Sequence, residues 1–203
     1  MLSSSRLVPV LLAALAWPAA QAATNLVVNG SFEADAGPSG YWQITPTLTG
    51  WQGAPDIELQ NNFENNLAQD GLYLVELDTY GNSAMSQVIQ GSGWVQLSFW
   101  FSPRAGVAAG SNTLSYSLGN VSGTLLGGVA GGPTTEWQQF SVLADLGNSG
   151  SATLRFAALG VSDQHGGLLD NVEVTAVPEP ATTALWLAGL AAAGLLQRRR
   201  MRR

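Results

Sequence analysis

The 203-residue chain contains no cysteine, no lysine and a single histidine. Without cysteine there is no disulfide, no thiolate nucleophile and no cysteine-based zinc site. With His165 alone, a zinc centre of three or four ligands lacks its usual donors. A Ser-His-Asp set would have to use that same residue, and no serine stands in a Gly-x-Ser-x-Gly turn. His165 lies in Ser162-Asp163-Gln164-His165-Gly166-Gly167 and reads as an ordinary loop residue. The glycines of 127–132 do not follow the strand-then-helix order of a phosphate loop. Positive charge is scarce as well. Residues 24–176 carry thirteen Asp or Glu against Arg104 and Arg155. A field that acidic disfavours nucleic acid and anionic surfaces and suits cations or neutral ligands. Paired carboxylates for glycoside hydrolysis stay open, because spacing in space cannot be read from spacing in sequence, but nothing marks out two of the thirteen. The expectation is a protein that is not an enzyme.

What is present at the two ends concerns export. Residues 1–23 hold Arg6, an apolar stretch from Leu7 to Ala20, and Ala20-Gln21-Ala22, the layout of a cleavable signal peptide. The last 27 residues, Val177 to Arg203, run in three parts: Pro178-Glu179-Pro180, an apolar stretch from Ala181 to Leu196, and five arginines among the final six residues. As a helix the sixteen apolar residues would span about 24 Å at roughly 1.5 Å each, a little short of the roughly 30 Å hydrocarbon core. The arginine cluster would hold the C-terminus in the cytoplasm and leave everything before Val177 outside. A helix packed inside the domain is the alternative, but beyond Thr182 and Thr183 the stretch has no polar face.

The order of tripeptide, short apolar stretch and arginines resembles the PEP-CTERM sorting signal of Gram-negative bacteria. The resemblance covers only the tail. It implies an inner-membrane intermediate, processing by an exosortase that cuts near Pro178, Glu179 and Pro180, and delivery to the cell envelope, the outer surface or the extracellular matrix.

Between the ends, residues 24–176 make one domain, and the pattern is all-β. Val95, Leu97, Phe99 and Phe101 share one face of Trp94–Ser102, with Gln96, Ser98, Trp100 and Ser102 on the other. Ser151–Leu159 and Asn112–Leu118 alternate in the same way. Further strands are expected at Asn25–Val28, Tyr41–Thr45, Asp56–Gln60, Gly71–Leu77, Ala84–Gln90, Glu136–Leu143 and Leu168–Thr175. The segment Gly119–Pro133 reads as a loop or a loose edge hairpin. Strands with one apolar face each must close into two sheets, because a single sheet would leave that face in water.

Asn29-Gly30-Ser31-Phe32-Glu33, Gly50-Trp51, Gly71-Leu72-Tyr73, Leu97-Ser98-Phe99-Trp100 and Leu168-Leu169-Asp170-Asn171-Val172 follow one another along the domain. That order is similar to the galactose-binding-domain-like jelly rolls, which include many carbohydrate-binding modules. The resemblance implies a jelly-roll β-sandwich, frequent glycan binding, and a structural calcium ion beside Glu33 and Asp170. Alternatively, Glu33 caps a turn and Asp170 hydrogen-bonds the first strand.

A glycan surface needs aromatic faces with planar polar groups alongside. Trp100 with Gln96 and Ser98, Trp137 with Gln139 and Ser141, and Arg155 are the candidates; the alternative places both tryptophans in the core. Glycan or polysaccharide binding without catalysis is the expected role. A purely structural matrix protein and a glycoside hydrolase are the alternatives.

Overall fold

The computed structural model describes residues 24–177, apart from Ala36 and 126–128, together with helical residues 188–192 and 198. The signal-peptide stretch, the Pro178-Glu179-Pro180 tripeptide and most of the expected membrane helix lie outside the described residues. Among the described residues no helix is long and apolar enough to cross a membrane.

Ten strands carry the domain: β1 (Tyr41–Leu48), β2 (Trp51–Asn61), β3 (Tyr73–Glu76), β4 (Ala84–Gln90), β5 (Trp94–Ser102), β6 (Leu114–Leu118), β7 (Val121–Leu125), β8 (Gln138–Asp145), β9 (Ser151–Ala158) and β10 (Leu168–Ala176). Their hydrogen-bonded order is β7-β6-β9-β4-β2-β3-β10-β5-β8, with β1 added on β2, and every pair is antiparallel. β2 makes the sandwich. Its first residues, Gln52 and Gly53, pair with β4, whereas Glu58–Asn61 pair with β3, so one strand passes from the back layer to the front. The layers meet through their alternate residues. Phe99 of β5 packs edge-on to Phe156 of β9 at 5.0 Å, and Trp51 of β2 lies 6.3 Å from Phe156. The domain is a jelly-roll sandwich, and the alternation of its strands accounts for the two layers.

The strands at Ala84–Gln90 and Trp94–Ser102 have the expected limits, and Gly119–Pro133 contains the edge strand β7, paired to β6. Asn25–Val28 differs: only Asn25 bridges to Thr175. Side chains take the groups a ladder would use. Val27 N donates to Asn25 Oδ1, Val28 N donates to Gln87 Oε1, and Gln87 Nε2 donates to Val28 O. The segment still lies along β10, where Val172 N donates to Gly30 O; a Cβ on Gly30 would run into the Val172 carbonyl.

The connection from β2 to β3 positions the site. It leaves β2 at Asn61 and reaches the start of β8, where Leu67 O accepts from Thr135 Oγ1 and Trp137 Nε1, each at 2.9 Å. It then returns over β10, where Gln69 N and Asp70 N donate to Asp170 Oδ2 at 2.7 and 3.0 Å. The loop thus crosses the outer face of the front layer.

Candidate functional site

On that outer face the register sets Ile44 against Glu58, Glu58 against Glu76, and Trp42 against Gln60. Of these, Trp42, Ile44 and Glu58 line a cleft of about 190 Å³. Its apolar walls are Trp42, Phe63 and Tyr80. Trp42 is 41% and Tyr80 76% exposed, and the Trp42 and Phe63 rings lie 6.2 Å apart, tilted. Its polar side is Glu58, Glu64, Arg104, Gln164 and His165.

The polar side is organised around Arg104, which is 3% exposed. The guanidinium pairs with Glu76, with Glu64 at 2.9 Å and with Glu58 at 3.8 Å, and its carbon lies 6.0 Å from the Phe63 ring centre. Gln60 Nε2 joins the two buried acids, donating to Glu58 Oε1 at 2.8 Å and to Glu76 Oε2 at 2.9 Å. Gln60 Oε1 in turn accepts from Asn66 Nδ2 at 3.0 Å, and Asn66 Oδ1 accepts from Ala105 N at 3.1 Å. A buried network of this kind persists because nearly every member is satisfied.

Three carboxylates against one guanidinium leave an excess of negative charge. Burial raises both Glu58 and Glu76, Glu76 well above the ordinary carboxylate range, with Arg104 opposing the rise in each. Burial alone would lower Arg104, but Glu76 first, then Glu64 and Glu58, outweigh it and raise its pKa. The guanidinium stays charged, and the upward shifts fall on the two buried acids, Glu58 and Glu76.

The loops carrying the cleft are held in strained backbone. Asn62, Glu64, Asn65 and Gln164 have φ between 49° and 65°. Asparagine tolerates that region; for Glu64 and Gln164 it is costly, and both present their side chains to the cleft. Asp78 fixes the second of these loops, its Oδ2 accepting from Asp163 N at 2.8 Å, Gln164 N at 2.9 Å and His165 N at 3.3 Å. His165, expected as an ordinary loop residue, is thereby placed at the rim of the cleft.

The sequence-expected residues are distributed differently. Trp100 and Trp137 are half-buried, and the Trp137 indole N–H is spent on Leu67 O. Arg155 is exposed on β9, next in sequence to the core ring of Phe156, as Trp100 is next to Phe99. Adjacent strand residues point oppositely, so Arg155 faces outward from the back layer and Trp100 from the front. The three do not form one platform. The loop crossing the front layer, invisible in a strand pattern, is the physical reason for the tryptophans' half-burial.

Glu33 and Asp170 both grip that crossing loop. Glu33 Oε1 accepts from Leu72 N at 2.7 Å and Tyr73 N at 2.8 Å, and Gly71, at φ 70°, leaves room for the carboxylate that a Cβ would take. Asp170, fully buried, accepts from Gln69 N, Asp70 N and, on Oδ1, Asn171 N at 2.6 Å. Burial nevertheless pushes its pKa up to about 7, against the three N–H donors. Calcium takes six to eight oxygens. Two carboxylates already accepting peptide N–H groups do not by themselves make such a centre, and among the described residues no three of His, Cys, Asp and Glu are gathered as metal ligands.

A second, shallower trough of about 360 Å³ lies by Trp51, Gln52 and Val88. Its main polar side chain, Gln87, is committed to the Val28 peptide group, so it offers less to a ligand.

Comparison with known proteins bears on the tail and on the fold separately. Residues 176–203 match the PEP-CTERM protein-sorting motif. The PEP-CTERM tail is therefore a sorting signal, as its three-part order indicates, and marks an exported protein. No curated protein matches the chain by sequence. In fold it is similar to the Stig cyclase Fisc from Fischerella sp. TAU, solved with a pyrrolidinylidene-indole bound (TM-score 0.55, 13% identity, 78% of this chain and 100% of that one). A family 61 carbohydrate-binding module solved with β-1,4-galactotriose aligns at TM-score 0.49 and 18% identity, over 76% of this chain and 99% of its own. A family 35 module from Paenibacillus barcinonensis aligns at 0.40 and 19%, over 68% and 100%. At such identities the likeness concerns the fold, and no residue role is transferred by it.

Proposed function

We propose that this is an exported, non-catalytic glycan-binding protein whose PEP-CTERM tail is processed by an exosortase. The observation that carries the binding half is the cleft itself. Apolar ring faces at Trp42 and Tyr80 stand beside hydrogen-bonding groups at Glu58, Glu64, Gln164 and His165. Sugars are bound by that pairing, because a pyranose has one apolar face of C–H groups and an edge of hydroxyls. The strained backbone under Glu64 and Gln164 supports the assignment, since such cost is retained where side chains must be aimed. Neither calcium nor catalysis is needed for it.

The test is binding of the full-length chain to a panel of immobilised polysaccharides, beside the variants Trp42→Ala and Tyr80→Ala. A stacking aromatic lost from the cleft should weaken retention about tenfold, at roughly 1.4 kcal/mol. Unchanged retention in both variants would place binding elsewhere. No retention on any polysaccharide would favour the purely structural matrix role.

A further inference from the structure

The ionised groups facing the cleft are acceptors, and its one guanidinium is spent. Its one strong donor, Arg104, is engaged with Glu76 and Glu64 inside the protein, and the Gln60 amide is engaged with Glu58 and Glu76. Glu58 is 5% exposed, and both Gln60 and Arg104 approach its Oε1. Among the described residues no donor reaches its Oε2. That oxygen is not sealed from solvent either, because the one sealed side-chain atom without a partner among the described residues is Asn61 Oδ1. A nearly buried carboxylate thus opens one oxygen into the cleft.

Two more polar side chains line the same space. Glu64 bonds Arg104 through Oε2 and keeps a half-exposed side chain at the mouth. His165 Nδ1 lies 2.8 Å from Asp163 O; a carbonyl only accepts, so Nδ1 carries a proton and Nε2 is the ring nitrogen left free of that bond. The aromatic walls add faces that attract cations.

From this arrangement we infer that the cleft selects an amino sugar, a glycan residue with a free, protonated amine, over neutral or acidic sugars. The inference rests on the glycan-binding reading and sharpens it. An ammonium supplies three donors and the positive charge that three carboxylates around one guanidinium leave unbalanced. A uronate or a sulfated sugar would meet Glu58 and Glu64 with like charge and find no guanidinium to receive it. An N-acetylated residue keeps one N–H donor but loses the charge. The sugar ring, rather than a lysine side chain, accounts for the flanking Trp42 and Tyr80 faces.

The experiment is calorimetric titration of the full-length chain with a β-linked glucosamine oligomer, its N-acetylated counterpart and an oligogalacturonate. The free-amine oligomer should bind about tenfold or more tightly than the acetylated one, the worth of one charge-assisted hydrogen bond, and the uronate weakest. Glu58→Gln and Glu64→Gln should each cut that ratio, while Arg155→Ala on the opposite layer leaves it unchanged. If Glu58→Gln fails to fold, the half-exposed Glu64 carries the test. Equal affinity for all three oligomers, or a uronate preference, overturns the amine selectivity and leaves glycan binding standing. Binding of none removes both. Displacement of the glucosamine oligomer by a lysine peptide at equal concentration would also overturn it, because the cleft would then be reading the charge without the sugar.

Discussion

Replacing Arg104 with methionine tests the buried network more sharply than any other single change. The guanidinium is 3% exposed and is the only cation paired with Glu76, Glu64 and Glu58 among the described residues. Methionine keeps most of the apolar stem and removes the charge. Glu76 and Glu58 are then left buried without their partner, and breaking a buried pair from one side costs about 3–5 kcal/mol. Glu64, half-exposed, adds little. For a domain of this size that cost lowers the melting midpoint by roughly 6–20 °C, at about 2–4 °C per kcal/mol.

The loss must depend on pH in one direction. Burial raises the folded-state pKa values of Glu58 and Glu76 above the ordinary carboxylate range, so the folded protein holds more protons than the unfolded chain across that window. The stability they contribute is present below the unfolded value and is lost as pH rises through the folded ones. Without Arg104 to oppose burial the folded values climb further, so Arg104→Met should be more damaging at pH 8 than at pH 5. Circular-dichroism melts of both proteins at the two pH values read this directly. A double variant, Arg104→Met with Glu76→Gln, should recover part of the loss by removing a charge that no longer has a partner. A midpoint within 2 °C of the parent, or a greater loss at pH 5, would refute the account of the network.

Three other expectations follow from named contacts. Phe156→Ala removes a ring that lies 5.0 Å from Phe99 across the two layers and 6.3 Å from Trp51, and should cost about 3–5 kcal/mol in a urea titration. Melts in EDTA, millimolar calcium and millimolar magnesium should give one midpoint if Glu33 and Asp170 serve only as anchors of the crossing loop; a rise of roughly 5–10 °C with calcium alone, abolished by Asp170→Ala, would show that the ion completes a site there. Replacing Pro178-Glu179-Pro180 with alanines should leave the tail uncleaved and the protein in the inner membrane, read on an immunoblot as a band heavier than the processed parent; release and mass unchanged from the parent would count against the sorting reading.

The tail was legible because its information is linear. A tripeptide, an apolar stretch and a run of arginines keep their meaning in an extended chain, and the sorting motif falls on the same residues. The layers were legible for a related reason. Alternation such as Val95, Leu97, Phe99 and Phe101 is a property of neighbours in sequence, and burying one face of every strand forces a second sheet to cover the first. Even Arg104 carried a signal, as one of two cations among thirteen acids, but nothing local distinguished it from Arg155.

The cleft was decided by tertiary structure alone. Glu58, Glu76 and Arg104 come from three strands or their ends, up to 46 positions apart, and meet because β2 pairs β3 in one register and Arg104 follows β5. A shift of one residue in that pairing would have turned one of the two glutamates into the core and parted the pair. The same holds for Trp100 and Trp137, whose outward alternation suggested a platform. A loop that leaves β2 and returns to β3 crosses their face, and its course is set by hydrogen bonds to Asp170, Thr135 and Trp137, residues about 70 to 100 positions away. Periodicity in a sequence fixes which way a side chain points from its own strand; what later lies over it is chosen by long-range pairing, which the local pattern does not contain.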